Sequence, residues 1–221
     1  MRRAYRPDEK SIRREAILAG ARELFLAHTF AQLRMTDLAQ CLGLGKGTLY
    51  LYFRTKEALF LAVLQTELEA WFAAAVGWLD AHPRGEPAQV ARGLAAELLR
   101  RPLLPKLQAL LHGVLEQNVP MAEARAFARF LQGGVGRVGA RLERVLPGLA
   151  AGDGALYLLR FHGLVIGCQT MASRPPELRA ALSDPDMALF DFGFEDVLCG
   201  AVVDLLQGML ARVPADPVPV G

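Results

Sequence analysis

The chain has few cysteines and no cysteine motif. Its 221 residues include only Cys41, Cys168 and Cys199, an odd number without a CxxC pair. A disulfide framework or a zinc site needs more thiols at characteristic spacings, so scattered cysteines favour buried, reduced side chains. We therefore expect a cytoplasmic protein with no bound metal and no cofactor.

Long apolar runs are also scarce. The charged N-terminus, Met-Arg-Arg-Ala-Tyr-Arg-Pro-Asp-Glu-Lys, has no apolar run behind it, so it lacks the pattern of a secretory signal. One stretch, Gly154 to Ala172, is apolar enough to raise the question of a membrane span, but it contains Arg160, His162 and Gln169. An internal arginine is costly in lipid, so we interpret this stretch as a buried helix or a subunit interface and expect no membrane partner.

The charges nearly balance, with a net charge of only +2. Their distribution is uneven, because residues 1–60 carry 11 Lys/Arg against 6 Asp/Glu, whereas residues 61–221 carry 14 against 17. The hydrophobic fraction of 52% is ample for a core. A polyanionic partner would therefore bind at the N-terminal end.

No segment shows the period-two alternation that would require a strand. Apolar residues instead recur every three or four positions, which is typical of amphipathic helices. The pattern predicts helices over Ser11–His28, Met35–Leu42 and Lys46–Tyr52, followed by a long helix capped by Thr55. We predict an all-α fold.

Residues 34–57 have the spacing of two short helices that meet across a tight turn. Gly43 lies at the corner, where a left-handed residue is needed, and leucines on both sides can share a small core. Several donors and aromatic rings lie on or just after the second helix: Lys46, Thr48, Tyr50, Tyr52, Arg54 and Lys56. These groups suit phosphates and base edges, so the stretch is interpreted as a DNA-reading helix-turn-helix.

A family resemblance rests on the motifs in residues 12–60. These are Ala21-Arg22-Glu23-Leu24-Phe25, Asp37-Leu38-Ala39, Gly43-Leu44, Lys46-Gly47-Thr48-Leu49-Tyr50, Tyr52-Phe53, Lys56-Glu57 and Leu59-Phe60. They resemble the DNA-binding domain of the TetR family of bacterial transcriptional regulators. The resemblance implies a three-helix DNA-binding domain over residues 1–54, a larger helical effector-binding and dimerisation domain over residues 55–213, and a flexible tail over residues 214–221.

The same resemblance implies the DNA contacts. Thr48, Tyr50, Tyr52 and Lys56 would hold phosphates, while Lys46, Gly47 and Tyr50 would face base edges or thymine methyls. The chain departs from the family at Arg34 and Gly45, where side-chain helix caps are usual; Arg34 could contact phosphate by charge instead. Each missing cap should cost about 1 kcal/mol or less.

A glycine pattern raises an enzymatic alternative. Gly134, Gly136 and Gly139 form a literal GxGxxG, but no strand precedes it and a helical apolar stripe runs through it. Close helix packing or a bendable segment explains these glycines better than a dinucleotide cofactor. We therefore expect no enzymatic activity.

The C-terminal part offers candidates for a ligand pocket and a dimer interface. A mostly apolar pocket with a few polar groups would be lined by Trp71, Trp78, His112, Gln117, Phe127, Phe130, His162 and Gln169. The histidines lack metal-ligand spacing and are interpreted as core or pocket residues. The interface candidates, which could equally belong to an internal core, are Leu156, Leu159, Gly163, Ile166, Val202, Leu205, Leu206 and Met209.

Together these observations predict a homodimeric repressor that binds a palindromic double-stranded DNA operator and is released by a small, mostly apolar effector. Two alternatives remain: a constitutive DNA-binding protein without an inducer response, and a ligand-binding or assembly protein whose helix-turn-helix is only structural.

Overall fold

The computed structural model describes residues 7–117, 119–175, 177–178, 186–187 and 192–212. Within these ranges the secondary structure is helical and no strand occurs, which confirms the all-α prediction. The α-helices are α1 (Pro7–Ala27), α2 (Met35–Cys41), α3 (Lys46–Tyr52), α4 (Lys56–Ala81), α5 (Pro87–Leu99), α6 (Leu103–Leu110), α7 (Met121–Val145), α8 (Asp153–Ala172) and α9 (Phe194–Leu210), and a π-helical segment, Leu111–Leu115, follows α6 directly. The expected tail over residues 214–221 lies outside the described residues.

The observed helix boundaries lie close to those expected from periodicity. Helix α3 has the predicted bounds, and α2 ends one residue before the predicted Leu42. Helix α1 begins four residues before the predicted Ser11, because its exposed first turns carry no apolar period. Thr55 caps α4 as predicted, since its Oγ1 accepts a hydrogen bond from the Ala58 amide at 3.0 Å.

The chain divides into two compact units. The first comprises Met1–Ala70 and Arg101–Phe130, and the second comprises Trp71–Arg100 and Leu131–Gly221. Two of the three unit boundaries therefore fall inside α4 and α7, and the third lies between α5 and α6. The domain limit between residues 54 and 55 stays a prediction.

An aromatic cluster centred on Phe60 forms part of the core of the first unit. The Phe60 side chain is fully buried, and its ring centroid lies 5.2 Å from that of Phe25 and 5.5 Å from that of Phe30. Leu38 of α2 and Leu49 of α3 are also fully buried. The two short helices therefore share a small core, as their spacing predicted, and burial of these side chains holds α3 in place.

The core of the second unit contains contacts between distant helices. Trp71 stacks on Phe161, with ring centroids 5.7 Å apart. Tyr157 is fully buried, and its hydroxyl donates to the Val202 carbonyl at 3.4 Å. Burial raises the pKa of Tyr157, because the phenolate would lose its hydration in the apolar interior.

Candidate nucleic-acid interface

The turn between α2 and α3 depends on Gly43. Its φ is +63°, in the left-handed region that glycine adopts without a steric penalty. The Gly43 amide donates to the Gln40 carbonyl at 3.0 Å, and the Leu44 amide donates to the Ala39 carbonyl at 2.8 Å. These two bonds form a Schellman motif, which ends α2 and directs the chain into α3 as the sequence predicted.

Helix α1 approaches this turn through a second glycine. A Cβ placed on Gly20 would lie 2.0 Å from Leu42 Cδ2, so no larger residue fits without movement. Ala39 of α2 is also buried, at 2% exposure. Gly20 was not predicted from the sequence, where its only signal was a glycine inside a helical period.

Helix α3 presents basic and aromatic groups to solvent. Leu49 anchors the helix in the core, while Lys46, Gly47 and Tyr50 are exposed and Thr48 is partly exposed. Lys46 and Tyr50 are one helical turn apart, and the lysine Nζ lies 5.9 Å from the tyrosine ring centroid. The first turns of α3 thus offer a cation and a phenol on one exposed surface, while the Thr48 hydroxyl lies on another side of the helix.

The starts of α2 and α3 lack side-chain caps, as predicted. Arg34 and Gly45 occupy the N-cap positions in extended conformations, and neither makes a side-chain cap hydrogen bond. The Arg34 side chain is exposed. Its charge is therefore available to an anion near the start of α2.

Lys56 is held against the loop that precedes α2. Its Nζ donates to the carbonyls of Phe30 and Leu33 at 2.7 and 2.9 Å, and lies 4.0 Å from the Phe30 ring centroid. Partial burial lowers the pKa of Lys56, and the nearby Glu57 carboxylate opposes that effect. Lys56 therefore holds the loop that precedes Arg34, a role that the sequence did not predict, and its expected phosphate contact stays a prediction.

An ion pair between a partly exposed arginine of α1 and a buried glutamate of α4 had no signal in the sequence. Glu67 is 2% exposed, and its carboxylate lies 2.6 Å from the guanidinium of Arg22. Both residues occupy helix positions that looked like ordinary charged surface in the sequence. Loss of Arg22 alone would leave the Glu67 carboxylate buried without its cation, which is costly.

The eight pocket candidates are divided between the two units. His112, Gln117, Phe127 and Phe130 belong to the first unit, and Trp71, Trp78, His162 and Gln169 belong to the second. His112 is exposed, with its Nδ1 2.9 Å from a Glu116 carboxylate oxygen, and Gln117 is exposed too. These surface positions do not favour a pocket role, so the expectation of core or pocket histidines is wrong for His112.

The remaining pocket candidates are more enclosed. Trp71 is 5% exposed, and its indole nitrogen donates to the Leu94 carbonyl at 3.4 Å. Trp78 stacks on His82 at 3.9 Å between centroids, and Phe127 and Phe130 are 6.1 Å apart. The side chains of His162 and Gln169 on α8 are partly exposed.

The interface candidates separate by burial. Val202 and Leu206 are 0% exposed and Met209 is 5% exposed. Because α9 packs against both α5 and α8, these three side chains belong to the core of the second unit, which corrects their assignment to an interface. The other five candidates are accessible to solvent. Leu159 is 65% exposed, Gly163 is exposed, and Leu156, Ile166 and Leu205 are partly exposed.

The GxGxxG pattern lies inside α7 and serves helix packing. A Cβ on Gly134 would lie 2.2 Å from the Phe72 ring, and one on Gly139 would lie 2.8 Å from the Ala155 amide nitrogen. Gly136 faces open space. Two of the three glycines therefore permit close approach of neighbouring side chains or backbone.

A metal centre would need a cluster of ligating side chains, and a membrane span would need a long apolar helix. Among the described residues, no group of three or more His, Cys, Asp or Glu side chains could hold a metal ion. In that same part of the chain, α4 is the helix long and apolar enough to cross a membrane by length and composition. Its apolar window is 56% buried inside the protein, as expected of a core helix.

Sequence comparison supports the helix-turn-helix. The model of "Bacterial regulatory proteins, tetR family" matches residues 17–63, and that of "Tetracyclin repressor-like, C-terminal domain" matches residues 65–213. The HTH-type transcriptional regulator RutR of Escherichia coli (strain K12) is 38% identical over 63 residues, which are 28% of this chain and 30% of RutR. The chain thus matches less than a third of the length of this curated relative.

Solved structures share the fold. The TetR family regulator PfmR from Thermus thermophilus has a TM-score of 0.56 at 20% identity, covering 86% of this chain and 97% of PfmR. FadR from Bacillus subtilis, in complex with stearoyl-CoA, has a TM-score of 0.57 at 14% identity, covering 88% of this chain and 98% of FadR. Since the C-terminal family model alone spans more than half of the sequence, the chain belongs to the TetR family of bacterial regulatory proteins.

Proposed function

We propose that this chain is a homodimeric repressor of transcription, which binds a palindromic operator and is released by a small, mostly apolar effector. The observation that carries the proposal is the exposed surface of α3, held by buried Leu49 and by the turn at Gly43. A helix about 10–12 Å wide fits the major groove of B-DNA, which is about 12 Å wide.

Base reading would come from the first turns of α3. Lys46 is the first residue of the helix and can reach guanine acceptors, and Tyr50 follows one turn later. Nothing lies within 4 Å of a Cβ placed on Gly47, so the helix backbone there is open to close approach by a base edge or a thymine methyl.

Phosphate contacts would fix the position of α3. Exposed Arg34 precedes α2, while Thr48 and Tyr52 lie on α3 with partly exposed side chains. Contacts of this kind set affinity and its salt dependence but carry little sequence information. Lys56 would contribute indirectly, by holding the loop before Arg34.

A dimer would place two copies of α3 on successive major grooves. Helix α8 exposes apolar and small residues outside the unit's core: Leu159 at 65%, Met171 at 51%, and Gly163 with open space around it. Such a surface suits close packing against a second copy. Leu159→Lys should therefore shift the molar mass measured by light scattering from dimer towards monomer, whereas an unchanged mass contradicts this interface.

Effector release rests on the residues matched by the C-terminal family model. The buried Trp71 and Phe161 rings supply apolar surface there, and partly exposed His162 and Gln169 supply polar groups. FadR was solved with stearoyl-CoA, but its likeness is one of fold, so the effector of this chain is argued from these residues alone. An effector can act only by binding the DNA-free state more tightly, and α4, which reaches from the helix-turn-helix to Trp71, is the proposed link.

The deciding experiment is selection of bound duplexes from a random DNA pool, followed by fluorescence anisotropy on the selected site. Lys46→Ala and Tyr50→Ala should each weaken specific binding by about 1–3 kcal/mol. Lys106→Ala, which removes an exposed lysine on α6, should leave it unchanged. Binding that is absent in the parent protein, or equal in all variants while the fold persists, contradicts the proposed regulator and favours an assembly protein.

The second candidate function is constitutive DNA binding. It shares the same α3 surface and differs only in the effector step. A screen of small apolar molecules for release of the selected duplex separates the two candidates. Release by a compound that also raises the thermal stability of free protein supports repression with induction, whereas no release across the screen favours constitutive binding.

A further inference from the structure

A cleft lies directly after the reading helix in the first unit. It has a volume of about 290 Å³, and its walls come from α1, the end of α3, the first turns of α4 and the start of α7. Its floor includes Phe53 and Phe127, which are 5% and 4% exposed. The cleft therefore has a rigid apolar base beside the last turn of α3.

Two cations face this cleft. Arg14 of α1 and Arg54, two residues after the end of α3, both line it and are exposed. The Arg14 guanidinium lies 5.4 Å from the Phe53 ring centroid, so the aromatic ring supports its position. Within the described part of the chain, neither arginine is paired with a carboxylate.

One acidic side chain, Glu123 of α7, also lines the cleft. Two guanidiniums against one carboxylate leave an excess of positive charge, which is complementary to an anion. Guanidinium groups hold phosphate oxygens well, because their fork of N–H donors matches the spacing of two oxygens. Phosphates also border the major groove on both sides of an inserted helix.

We propose that Arg14 and Arg54 bind a phosphate of the DNA backbone, and that Glu123 weakens this contact by repulsion. The cleft extends the DNA-contacting surface beyond α3 to include α1. The partly exposed Tyr52 lines the same cleft, so a phosphate there would meet a hydroxyl and two guanidiniums. The inference rests on the proposed DNA binding and adds a site to it.

The test is the salt dependence of binding to the selected duplex. Each phosphate contact steepens the slope of log affinity against log salt by about 0.9. Arg14→Gln and Arg54→Gln should each make the slope shallower by up to that amount. The ratio of parent affinity to variant affinity should then fall by up to about 3.5-fold between 50 and 200 mM salt. Arg129→Gln, an exposed arginine on α7 outside the cleft, is the matched control and should keep the parent slope.

Two further variants distinguish a charge contact from a structural role. Arg14→Lys keeps the charge and should restore most of the slope. Glu123→Gln should strengthen binding at low salt, an effect of opposite sign that loss of structure would not produce. Circular dichroism melting confirms that each variant is folded.

The outcomes separate the two proposals. If the parent protein binds no duplex, the proposed function fails. If the parent binds but Arg14→Gln and Arg54→Gln keep its slope, or Glu123→Gln weakens binding, the phosphate cleft is overturned while DNA binding stands.

Discussion

Replacement of Gly154 by alanine tests the close packing of α7 and α8. A Cβ on Gly154 would lie 2.2 Å from the carbonyl oxygen of Gly139 and 2.7 Å from its carbonyl carbon. These are backbone atoms, so the two helices must separate by roughly 1 Å before ordinary van der Waals contact is restored. That movement would also disturb Glu143, whose Oε1 accepts hydrogen bonds from the amides of Gly152 and Gly154 at 2.8 and 3.0 Å.

The magnitude follows from overpacking and from helix propensity. Overpacking typically costs about 1–3 kcal/mol, and a rigid backbone obstacle places Gly154→Ala near the upper end, at about 3 kcal/mol. A chain of this length then loses about 6–12 °C of melting temperature. Gly136→Ala, at an exposed position of α7 with nothing within 4 Å, should instead gain about 1 kcal/mol.

Urea unfolding followed by far-ultraviolet circular dichroism, at a fixed protomer concentration, measures both changes. The packing argument is refuted if Gly154→Ala is as stable as the parent protein. It is equally refuted if Gly136→Ala is as damaging as Gly154→Ala, because only a Cβ on Gly154 would collide with neighbouring atoms.

Two other predictions concern buried polar groups. Lys56→Met should lower the free energy of unfolding by about 2 kcal/mol, because two hydrogen bonds from a charged donor are lost. The same variant should keep the parent's salt slope of DNA binding, and a slope shallower by about 0.9 would show that Lys56 contacts phosphate after all. Burial raises the pKa of the Tyr157 hydroxyl in the folded protein. Above pH about 10 the folded protein therefore binds more protons than the unfolded chain, in which this hydroxyl ionises normally. The free energy of unfolding should therefore fall as pH rises beyond that point, by at most about 1.4 kcal/mol per pH unit, and Tyr157→Phe should be less sensitive to pH there.

Local sequence determined the helices and the turn of the candidate interface. The bounds of α3, the left-handed Gly43, the Thr55 cap and the missing caps at Arg34 and Gly45 could all be predicted. Each depends on residues within one or two helical turns, and periodicity and cap chemistry report directly on that range. The exposed surface of Lys46, Gly47 and Tyr50 follows from the same period once Leu49 is buried.

Contacts between distant residues were decided by the tertiary structure. The sequence predicted a phosphate contact for Lys56 but gave no sign of its hydrogen bonds to the loop carbonyls of Phe30 and Leu33. Glu67 and Arg22 looked like surface charges until α1 and α4 packed together. Neither case could be seen in the sequence. A charged residue has the same type and the same position in the helical repeat whether it faces solvent or a distant partner.

The C-terminal part shows the same division between local pattern and tertiary contact. Apolar periodicity identified α8 and α9 as helices with several apolar faces, but could not say which face meets the chain's own core. Only the packing of α9 against α5 and α8 placed Val202, Leu206 and Met209 inside and left Leu159 exposed. The sequence by itself thus determined the helices and the glycine turn, since these depend on local backbone preferences. The tertiary structure decided which charges pair and which apolar faces stay open, since these depend on distances between residues far apart in the chain.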